Sequence, residues 1–461
     1  MSSITLHEGD NRVTLRRLID EGVRVHSVVT DPPYGLVSTV KRFGKDGAAA
    51  AKSNGATGVF KRASGGFMGS TWDATGIERD PEFWALIYDI LLPGGYVLAF
   101  SSPRTGHWQA CAMEMAGFVM HPFFGWTYGS GFPKAHNAAM AIDKALGVKG
   151  SRGGLKAGFE GHAGKDNLRS LRESGTMSQN GGFSRPWMHD PEAVLNNQLR
   201  YVPGSPEAQQ WDGWAYGAQS LKPALEPIYF AEKPFAEKNG ALNLIKHGVG
   251  AVNIDACRVP AGAGDGRHPA NLLHDGSPEV TAMFPNSKGA QASVKGTEPS
   301  LPTNEIYGQF RERLASPKRA DGDGSAARFF NSFQMTDAEI DELIELGIVS
   351  PPIDAEPLRY HSKATKADRA GTKHPTVKPI GLMEWLVTLV TPPGGMVLDP
   401  FAGSGTTGAA AQRAGFDCIL MEAESQFATD IRKRLKLTMT SEFDDILGMD
   451  VGNDEFDDIL G

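Results

Sequence analysis

The stretch MVLDPFAGSGTTG, residues 396–408, decides the fold because it joins a short apolar strand to a glycine-rich turn. Its last six residues match the pattern GxGxxG and lead into a predicted helix, and Glu422 follows the next predicted strand. In such a unit the glycines allow a tight turn and a close backbone approach to a ligand, and the acid accepts hydrogen bonds from ribose hydroxyls. The pattern alone fits a nicotinamide dinucleotide equally well, or glycines that only shape a loop.

The N-terminus shows the same alternation of strands and helices. Residues 4–6 predict a strand, Leu15, Leu18 and Ile19 recur at helical spacing, and residues 25–30 predict a second strand. A strand–helix–strand unit implies a parallel sheet. Each half of the chain is too small a sheet by itself. We therefore expect one doubly wound, mostly parallel α/β domain that a middle module interrupts.

Composition and charge exclude several classes of protein. The net charge of −8 equals the eight acids of residues 442–461, so the rest of the chain is formally neutral, and local basic clusters can still hold a phosphate backbone. Cys111, Cys257 and Cys418 are too scattered for a disulfide framework or a metal site. There is neither an apolar run of membrane-spanning length nor an export signal at the start, which predicts a cytoplasmic protein.

A second turn, Asp31-Pro32-Pro33-Tyr34, lies at the end of a predicted strand, where open α/β sheets bind their ligands. The two prolines remove two backbone donors and stiffen the turn. The Asp31 carboxylate and the Pro32 carbonyl then form a rigid pair of acceptors, which is what an NH2 group requires. Tyr34 offers a flat face to a base extruded from a stack. The alternative is a turn that only ends a strand.

The residues between the strand at 396–398 and the glycines indicate the class of ligand. Asp399 and Phe401 place a carboxylate and an aromatic ring at the mouth of the pocket. A dinucleotide site usually has its glycines directly after the strand, so that the helix N-terminus faces a pyrophosphate. A nearby carboxylate favours a ligand with an ammonium and a sulfonium, and S-adenosylmethionine carries both.

These motifs resemble those of the amino-group DNA methyltransferases. Residues 30–35, TDPPYG, resemble the catalytic motif of that family, residues 397–407 its S-adenosylmethionine motif, and residues 374–379, HPTVKP, the segment before it. Their order resembles the β-class arrangement, which implies a circularly permuted Rossmann-like methyltransferase fold. Residues 129–134 and 222–227 are similar to segments of phage and prophage members. The resemblance covers about residues 1–140, 220–260 and 373–437.

The resemblance implies roles for individual residues. Asp31 and Pro32 would bind the target amine within the turn that Pro33 stiffens, and Tyr34 would stack on the base. The implied cofactor contacts are the methionine end at Asp399, Phe401, Gly403, Ser404, Gly405 and Thr406, the ribose at Glu422, the adenine at Asp10, and the carboxylate at Thr376 and Lys378.

Composition and the rhythm of strands and helices, together with the order of the motifs, divide the chain. Six parts follow in order: the catalytic half 1–146, a glycine-rich insertion 147–220, a returning strand 221–235, a target-recognition module 236–372, the cofactor half 373–438 and an acidic tail 439–461. The basic loop 35–70 either closes over the extruded nucleotide and contacts phosphates or only solubilises the chain. The tail repeats EFDDILG, which we interpret as a docking peptide for a protein partner or a brake on the cleft, with solvated disorder as the alternative.

The predicted reaction is transfer of a methyl group from S-adenosylmethionine to an exocyclic amine in double-stranded DNA. Asp at position 31 favours adenine N6, whereas Ser there is typical of cytosine N4 enzymes. No covalent intermediate is expected, because none of the three cysteines has the Pro-Cys context of cytosine-C5 methyltransferases. The alternatives are a cytosine N4 methyltransferase, an NAD-dependent oxidoreductase and an idle DNA-binding protein. The expected location is the nucleoid of a bacterial or phage-infected cell.

Overall fold

The computed structural model describes residues 2–34, 75–129, 131, 134–155, 199–261, 266–289, 293, 323–348 and 377–437. Their strands, β1 to β13 in chain order, are Ile4–Glu8, Val25–Thr30, Leu91–Phe100, Val119–Thr127, Lys134–Asn137, Ser151–Leu155, Leu199–Val202, Ala215–Gln219, Leu225–Glu232, Leu272–His274, Asn331–Ser332, Met396–Asp399 and Asp417–Glu422. Their helices, α1 to α11, are Asn11–Asp20, Pro81–Ile90, Gly106–Met115, Ala138–Leu146, Pro206–Gln209, Gly240–His247, Pro278–Thr281, Asp337–Glu345, Ile380–Val390, Thr406–Ala414 and Ser425–Leu435. Short 3-10 helices cover Ile77–Arg79 and Ala326–Phe329.

One large sheet joins both ends of the chain. Its strand order is β1-β13-β12-β2-β3-β9-β4-β10-β11, so β12 and β13 from the C-terminal half lie between β1 and β2 from the N-terminal half. All of these strands run parallel except β9, which is antiparallel to both β3 and β4. The prediction of one mostly parallel sheet built from two distant halves is confirmed.

Helices cover both faces of this sheet, as a doubly wound fold requires. On one face Leu15 of α1 and Phe83 of α2 are fully buried, and on the other Leu386 of α9 and Ile431 of α11 are fully buried. The central strands are therefore covered on both sides, which is why their sequences read as nearly continuous apolar runs.

Strand β3 is irregular near its start. The assigned strand runs from Leu91, but Gly94 has a φ angle of +85° and the register with β2 shifts between Val25 and Ser27, so Pro93-Gly94-Gly95 interrupts the extended backbone. The Gly94 N–H donates to the Lys233 carbonyl at 2.8 Å, and the Lys233 N–H donates to the Gly95 carbonyl at 3.0 Å. This pairing with the residue after β9 fixes the irregular segment to the sheet. Such a long-range pairing leaves no trace in the local composition.

The described parts of the middle segment 236–372 contribute two strands to the large sheet. Strands β10 and β11 extend the sheet beyond β4, with Leu273 opposite Trp126 and Asn331 opposite Leu273. These strands have three and two residues, which is too short for an alternating pattern to be visible. Its use as the recognition module stays a prediction.

Part of the predicted insertion is held to α4 by a buried carboxylate. Asp143 accepts hydrogen bonds from the Tyr201 hydroxyl, the Gly204 N–H and both the N–H and the hydroxyl of Ser205. Strand pairs β5–β8 and β6–β7 complete this small unit. The basic loop 35–70, the centre of the insertion and the acidic tail lie outside the described residues. Across the described ranges, none of the helices has both the length and the apolar character to cross a membrane.

The two segments that resemble phage enzymes contact each other closely. A Cβ atom added to Gly131 would lie 1.7 Å from the carbonyl oxygen of Pro223, and the Tyr128 N–H donates to the Ala224 carbonyl at 3.1 Å. Because the clashing atom belongs to the backbone, a side-chain rotation cannot relieve it.

We expect Gly131→Ala to lower the free energy of unfolding by about 2 kcal/mol, since overpacking against backbone forces the chain to shift. Urea denaturation measures this change. Gly153→Ala is the matched control, because a Cβ there would meet Val202 at an ordinary 3.5 Å. Equal unfolding free energies for the two variants would contradict the close approach.

Candidate active site

The two predicted motifs meet at one edge of the sheet. Strands β2 and β12 are parallel neighbours, with Ser27 opposite Val397 and Val28 opposite Leu398. Their carboxyl ends therefore carry Asp31 and Asp399 side by side. The Thr30 hydroxyl donates to Asp399 Oδ1 at 2.6 Å and links the two ends directly.

Asp399 is buried and forms hydrogen bonds with other residues of the protein. Its side chain is 2% exposed, and it accepts hydrogen bonds from the hydroxyls of Thr30 and Thr407 and from the Phe401 N–H. Burial raises the pKa of Asp399 to about 6, and the nearby negative charge of Asp31 acts in the same direction. Asp399 thus joins the glycine-rich turn to β2, and its contact with the cofactor stays a prediction.

Glu422, the last residue of β13, binds the backbone of the glycine-rich turn. Gly403 and Gly405 have φ angles of +55° and +75°, which favour glycine. Glu422 Oε2 accepts from the Gly403 N–H at 2.8 Å, and Oε1 accepts from the Glu424 N–H at 2.9 Å. Burial raises the pKa of Glu422 to about 7. Each of its oxygens retains capacity for a further donor.

Arg434 on α11 binds the end of the glycine-rich turn. Ser404 and Thr406 lie 3.0 Å apart through their hydroxyl oxygens, and Arg434 Nη1 donates to the Ser404 carbonyl and to the Thr406 hydroxyl, each at 3.0 Å. All three residues are buried. These contacts stabilise the start of α10, and a direct role of Ser404 and Thr406 at the cofactor stays a prediction.

Two further predicted cofactor residues lie at the same edge. Asp10 is exposed and caps α1 by accepting from the Arg12 N–H at 2.8 Å, and its neighbour Asn11 donates to the Pro400 carbonyl at 3.0 Å. The Phe401 ring packs against Phe83, with ring centroids 5.3 Å apart. Thr376 lies outside the described residues.

Lys378 is buried beside Asp31 and Glu226. Its ammonium donates to Asp31 Oδ2, and Glu226 Oε2 lies 3.7 Å away. The residue is 8% exposed, and the ammonium lies 4.7 Å from the centroid of the Phe100 ring. These contacts pair Lys378 with the turn of Asp31 and Tyr34, and its contact with a cofactor carboxylate stays a prediction.

Asp31 and Tyr34 are held from both sides. The Thr105 hydroxyl donates to the Tyr34 carbonyl at 2.7 Å, and the Lys378 ammonium lies 3.4 Å from the Tyr34 hydroxyl. Asp31 Oδ2 is bound by Lys378, whereas Asp31 Oδ1 is buried and has no hydrogen-bond partner within the described ranges. Pro32 and Pro33 are buried. The turn thus presents one unsatisfied acceptor in a fixed position.

Sequence reasoning missed several residues that build this site. Thr30, Thr407, Glu226 and Arg434 each contact a predicted site residue. Thr30 and Thr407 lie within the two quoted motifs, and this position was the only sequence feature that could have indicated their role. The pairing of Glu226 with Lys378 depends on the position of β9, which no local pattern reveals.

The raised pKa of Glu422 predicts a pH-dependent stability. The folded chain holds this proton more tightly than the unfolded chain, because the pKa rises from 4.5 to about 7 on folding. The stabilisation is therefore fully present below the unfolded pKa and is lost as the pH rises through the folded pKa. We expect the unfolding free energy of Glu422→Gln relative to wild type to rise by about 2 kcal/mol between acidic and mildly alkaline buffer.

Urea denaturation of both proteins across this range measures the difference. The constant effect of replacing an acceptor by an amide cancels, since it does not depend on pH. Glu114→Gln on the exposed side of α3 is the matched control. The same pH trend in both variants would contradict a specific effect of burying Glu422.

Comparisons with known proteins bear on this site. A family model described as DNA methylase (N6_N4_Mtase) matches residues 171–433. The type II methyltransferase M2.DpnII of Streptococcus pneumoniae is 43% identical over 75 residues, which are 16% of this chain and 28% of that protein. M2.LlaDCHI of Lactococcus lactis subsp. cremoris is 38% identical over 74 residues, with the same shares. The chain thus matches little more than a quarter of the length of these curated relatives.

Solved structures show only a distant likeness. The crystal structure of M1.HpyAVI has 14% sequence identity and a TM-score of 0.36, with 94% of this chain and 100% of that chain covered. The cytosine-N4-specific PvuII DNA methyltransferase has 14% identity and a TM-score of 0.36, with coverages of 96% and 90%. The family model matches more than half of the chain, and on that ground the protein belongs to the DNA methylase family.

Proposed function

We propose that this protein transfers a methyl group from S-adenosylmethionine to the exocyclic amine of a base in double-stranded DNA. The observation that carries the proposal is Asp31 Oδ1, a buried acceptor without a hydrogen-bond partner in the described part of the chain, beside the glycine-rich turn. An exocyclic amine supplies the donor that this oxygen lacks. Membership in the DNA methylase family supports the same assignment.

The residues at the strand ends fit S-adenosylmethionine better than a dinucleotide. The Gly403 N–H, which a pyrophosphate would need, already donates to Glu422. Asp10, Asp31, Asp399 and Glu422 concentrate carboxyl groups at this edge, which suits a sulfonium and an ammonium and repels phosphates. Glu422 has acceptor capacity for ribose hydroxyls, and the turn at Gly403 and Gly405 would lie along the methionine end.

The proposed mechanism relies on alignment and electrostatics. The cofactor supplies an electrophilic methyl group on a sulfonium. Asp31 Oδ1 and the Pro32 carbonyl hold the two amine hydrogens out of the plane of the base, which restores lone-pair character to the nitrogen. The nitrogen forms a bond to the methyl carbon as the carbon–sulfur bond breaks, with the electron pair going to sulfur. The nitrogen then carries a positive charge and releases one proton toward Asp31 or water.

Tyr34 is the proposed stacking partner of the extruded base. Its carbonyl and its hydroxyl both have polar neighbours, Thr105 and Lys378, so the ring has little freedom to move. A rigid aromatic face reduces the entropy lost when the base enters the pocket.

We favour adenine N6 over cytosine N4 as the target amine. The support is Asp31 itself, since Asp at this position leans toward adenine in the amino-group methyltransferases and Ser toward cytosine. Both amines are chemically alike to such a pair of acceptors. Digestion of methylated DNA to nucleosides, followed by mass spectrometry, distinguishes the two products, and long-read sequencing gives the sequence context.

We expect Asp31→Ala to lower kcat by about 1000-fold or more while binding of S-adenosylmethionine stays nearly intact, because the substitution removes the amine acceptor and leaves the glycine-rich turn in place. Transfer of a labelled methyl group to DNA measures the first quantity, and isothermal titration measures the second. Asp20→Ala, at the exposed end of α1, is the matched control. Wild-type activity in Asp31→Ala would refute the scheme.

The rival from another class is an NAD-dependent oxidoreductase. Parallel titrations with S-adenosylmethionine and NAD separate the two, since only one of them should give a saturable heat. Binding of NAD alone would overturn the proposed function.

The remaining partner assignments rest on the sequence alone. Target reading by residues 236–372, a protein partner for the tail 439–461 and association with the nucleoid are proposals of this kind. Removal of residues 440–461 tests the tail, and unchanged activity together with unchanged pull-down partners would dismiss both of its proposed roles.

A further inference from the structure

Lys378 lies between two carboxylates that come from distant parts of the chain. Its ammonium donates to Asp31 Oδ2 at the end of β2, and Glu226 Oε2 on β9 lies 3.7 Å away, beyond hydrogen-bond distance. Glu226 is 2% exposed and Lys378 is 8% exposed, so water screens these charges weakly. The rings of Phe100 and Tyr34 flank the ammonium at 4.7 and 5.7 Å from their centroids.

The backbone that carries Lys378 is also fixed. The Ile380 N–H, two residues later, donates to Glu339 Oε1 at 2.6 Å, and Val377, one residue earlier, packs against Leu343 and Ile348. Anchors on both sides restrict the positions that the ammonium can reach. A cofactor carboxylate would have to approach an ammonium that already faces two carboxylates and two rings.

We propose that Lys378 is a positioning residue that binds Asp31 Oδ2 and so turns Oδ1 toward the target amine, and that Glu226 weakens this hold by attracting the same ammonium. The inference rests on the proposed function, since it assigns separate roles to the two oxygens of the amine acceptor. Oδ2 is bound by Lys378, and Oδ1 is the buried oxygen without a hydrogen-bond partner in the described residues.

The charges of this cluster support the assignment. Two carboxylates and one ammonium leave a net charge of one negative unit next to the site where the amine nitrogen becomes positive. An attraction to that charge stabilises the transition state more than the neutral substrate. Without Glu226 the ammonium would interact more strongly with the Asp31 carboxylate. Without Lys378 the buried Glu226 and the partly buried Asp31 would lose the cation that both of them approach.

The groups that face Asp31 predict opposite effects for two substitutions. They are Lys378 before α9, Glu226 on β9, Tyr34 in the same turn and Asp399 at the end of β12. Removal of the cation makes this cluster more negative. Removal of the neighbouring anion makes it less negative, so the two substitutions should move the acidic limb of kcat in opposite directions.

The test measures kcat against pH with saturating S-adenosylmethionine and saturating DNA in the full chain. We expect Lys378→Met to lower kcat by about 100-fold and to move the acidic limb upward by about one pH unit. We expect Glu226→Gln to move the same limb downward. Lys378→Arg should restore much of the activity, because it retains the cation. Titration of S-adenosylmethionine should give nearly wild-type affinity for all three variants.

Lys233→Met is the matched control. Lys233 is a second partly buried lysine, beyond the other end of β9, and donates to the carbonyls of Tyr88 and Leu91 at 2.7 Å. Its loss should leave the acidic limb where it is in the wild type.

Several outcomes overturn the inference. Tenfold weaker cofactor binding by Lys378→Met with unchanged saturated kcat would assign Lys378 to the cofactor carboxylate. Limbs that move in the same direction in Lys378→Met and Glu226→Gln, or that do not move, would refute the charge argument. If Lys378→Met does not fold, the downward shift in Glu226→Gln decides alone. A wild-type protein that transfers no methyl group to DNA overturns the proposed function itself.

Discussion

The hydrogen bonds of Asp399 join the two halves of the protein at the point where its site forms. One carboxylate receives the Thr30 hydroxyl from β2, the Thr407 hydroxyl from the start of α10 and the Phe401 N–H from the turn between. A buried carboxylate is unfavourable unless such donors surround it. Three donors from two halves make its burial tolerable only when both halves are in register. The position of the glycine-rich turn relative to Asp31 depends on this arrangement.

A second contact between distant segments lies beside the first. Lys378 comes from the C-terminal half, Asp31 from the N-terminal half and Glu226 from the strand that returns to the sheet. None of these charges would be buried in the separated halves. Assembly of the sheet therefore creates the site and its electrostatic field in one event. Contacts of such long sequence separation also make this part of the fold slow to form.

The same edge of the sheet carries an excess of negative charge. Asp399 and Glu422 have pKa values raised to about 6 and about 7 by burial, so ionisation of either group opposes folding near neutral pH. A cationic ligand at this edge would offset that opposition. The arrangement thus exchanges stability for a surface complementary to positive charge, as sites that bind charged molecules commonly do.

The sequence by itself determined the elements that depend on local chemistry. Glycines that adopt positive φ and prolines that stiffen a strand end act through their own backbone, so both turns and their place after parallel strands were predictable. Tertiary structure alone decided which atoms meet. The pairing of Lys378 with Asp31, the hydrogen bond from Thr30 to Asp399 and the pairing of Gly94 with Lys233 depend on the register of distant strands. Register follows from packing over the whole sheet, which no short stretch of residues encodes.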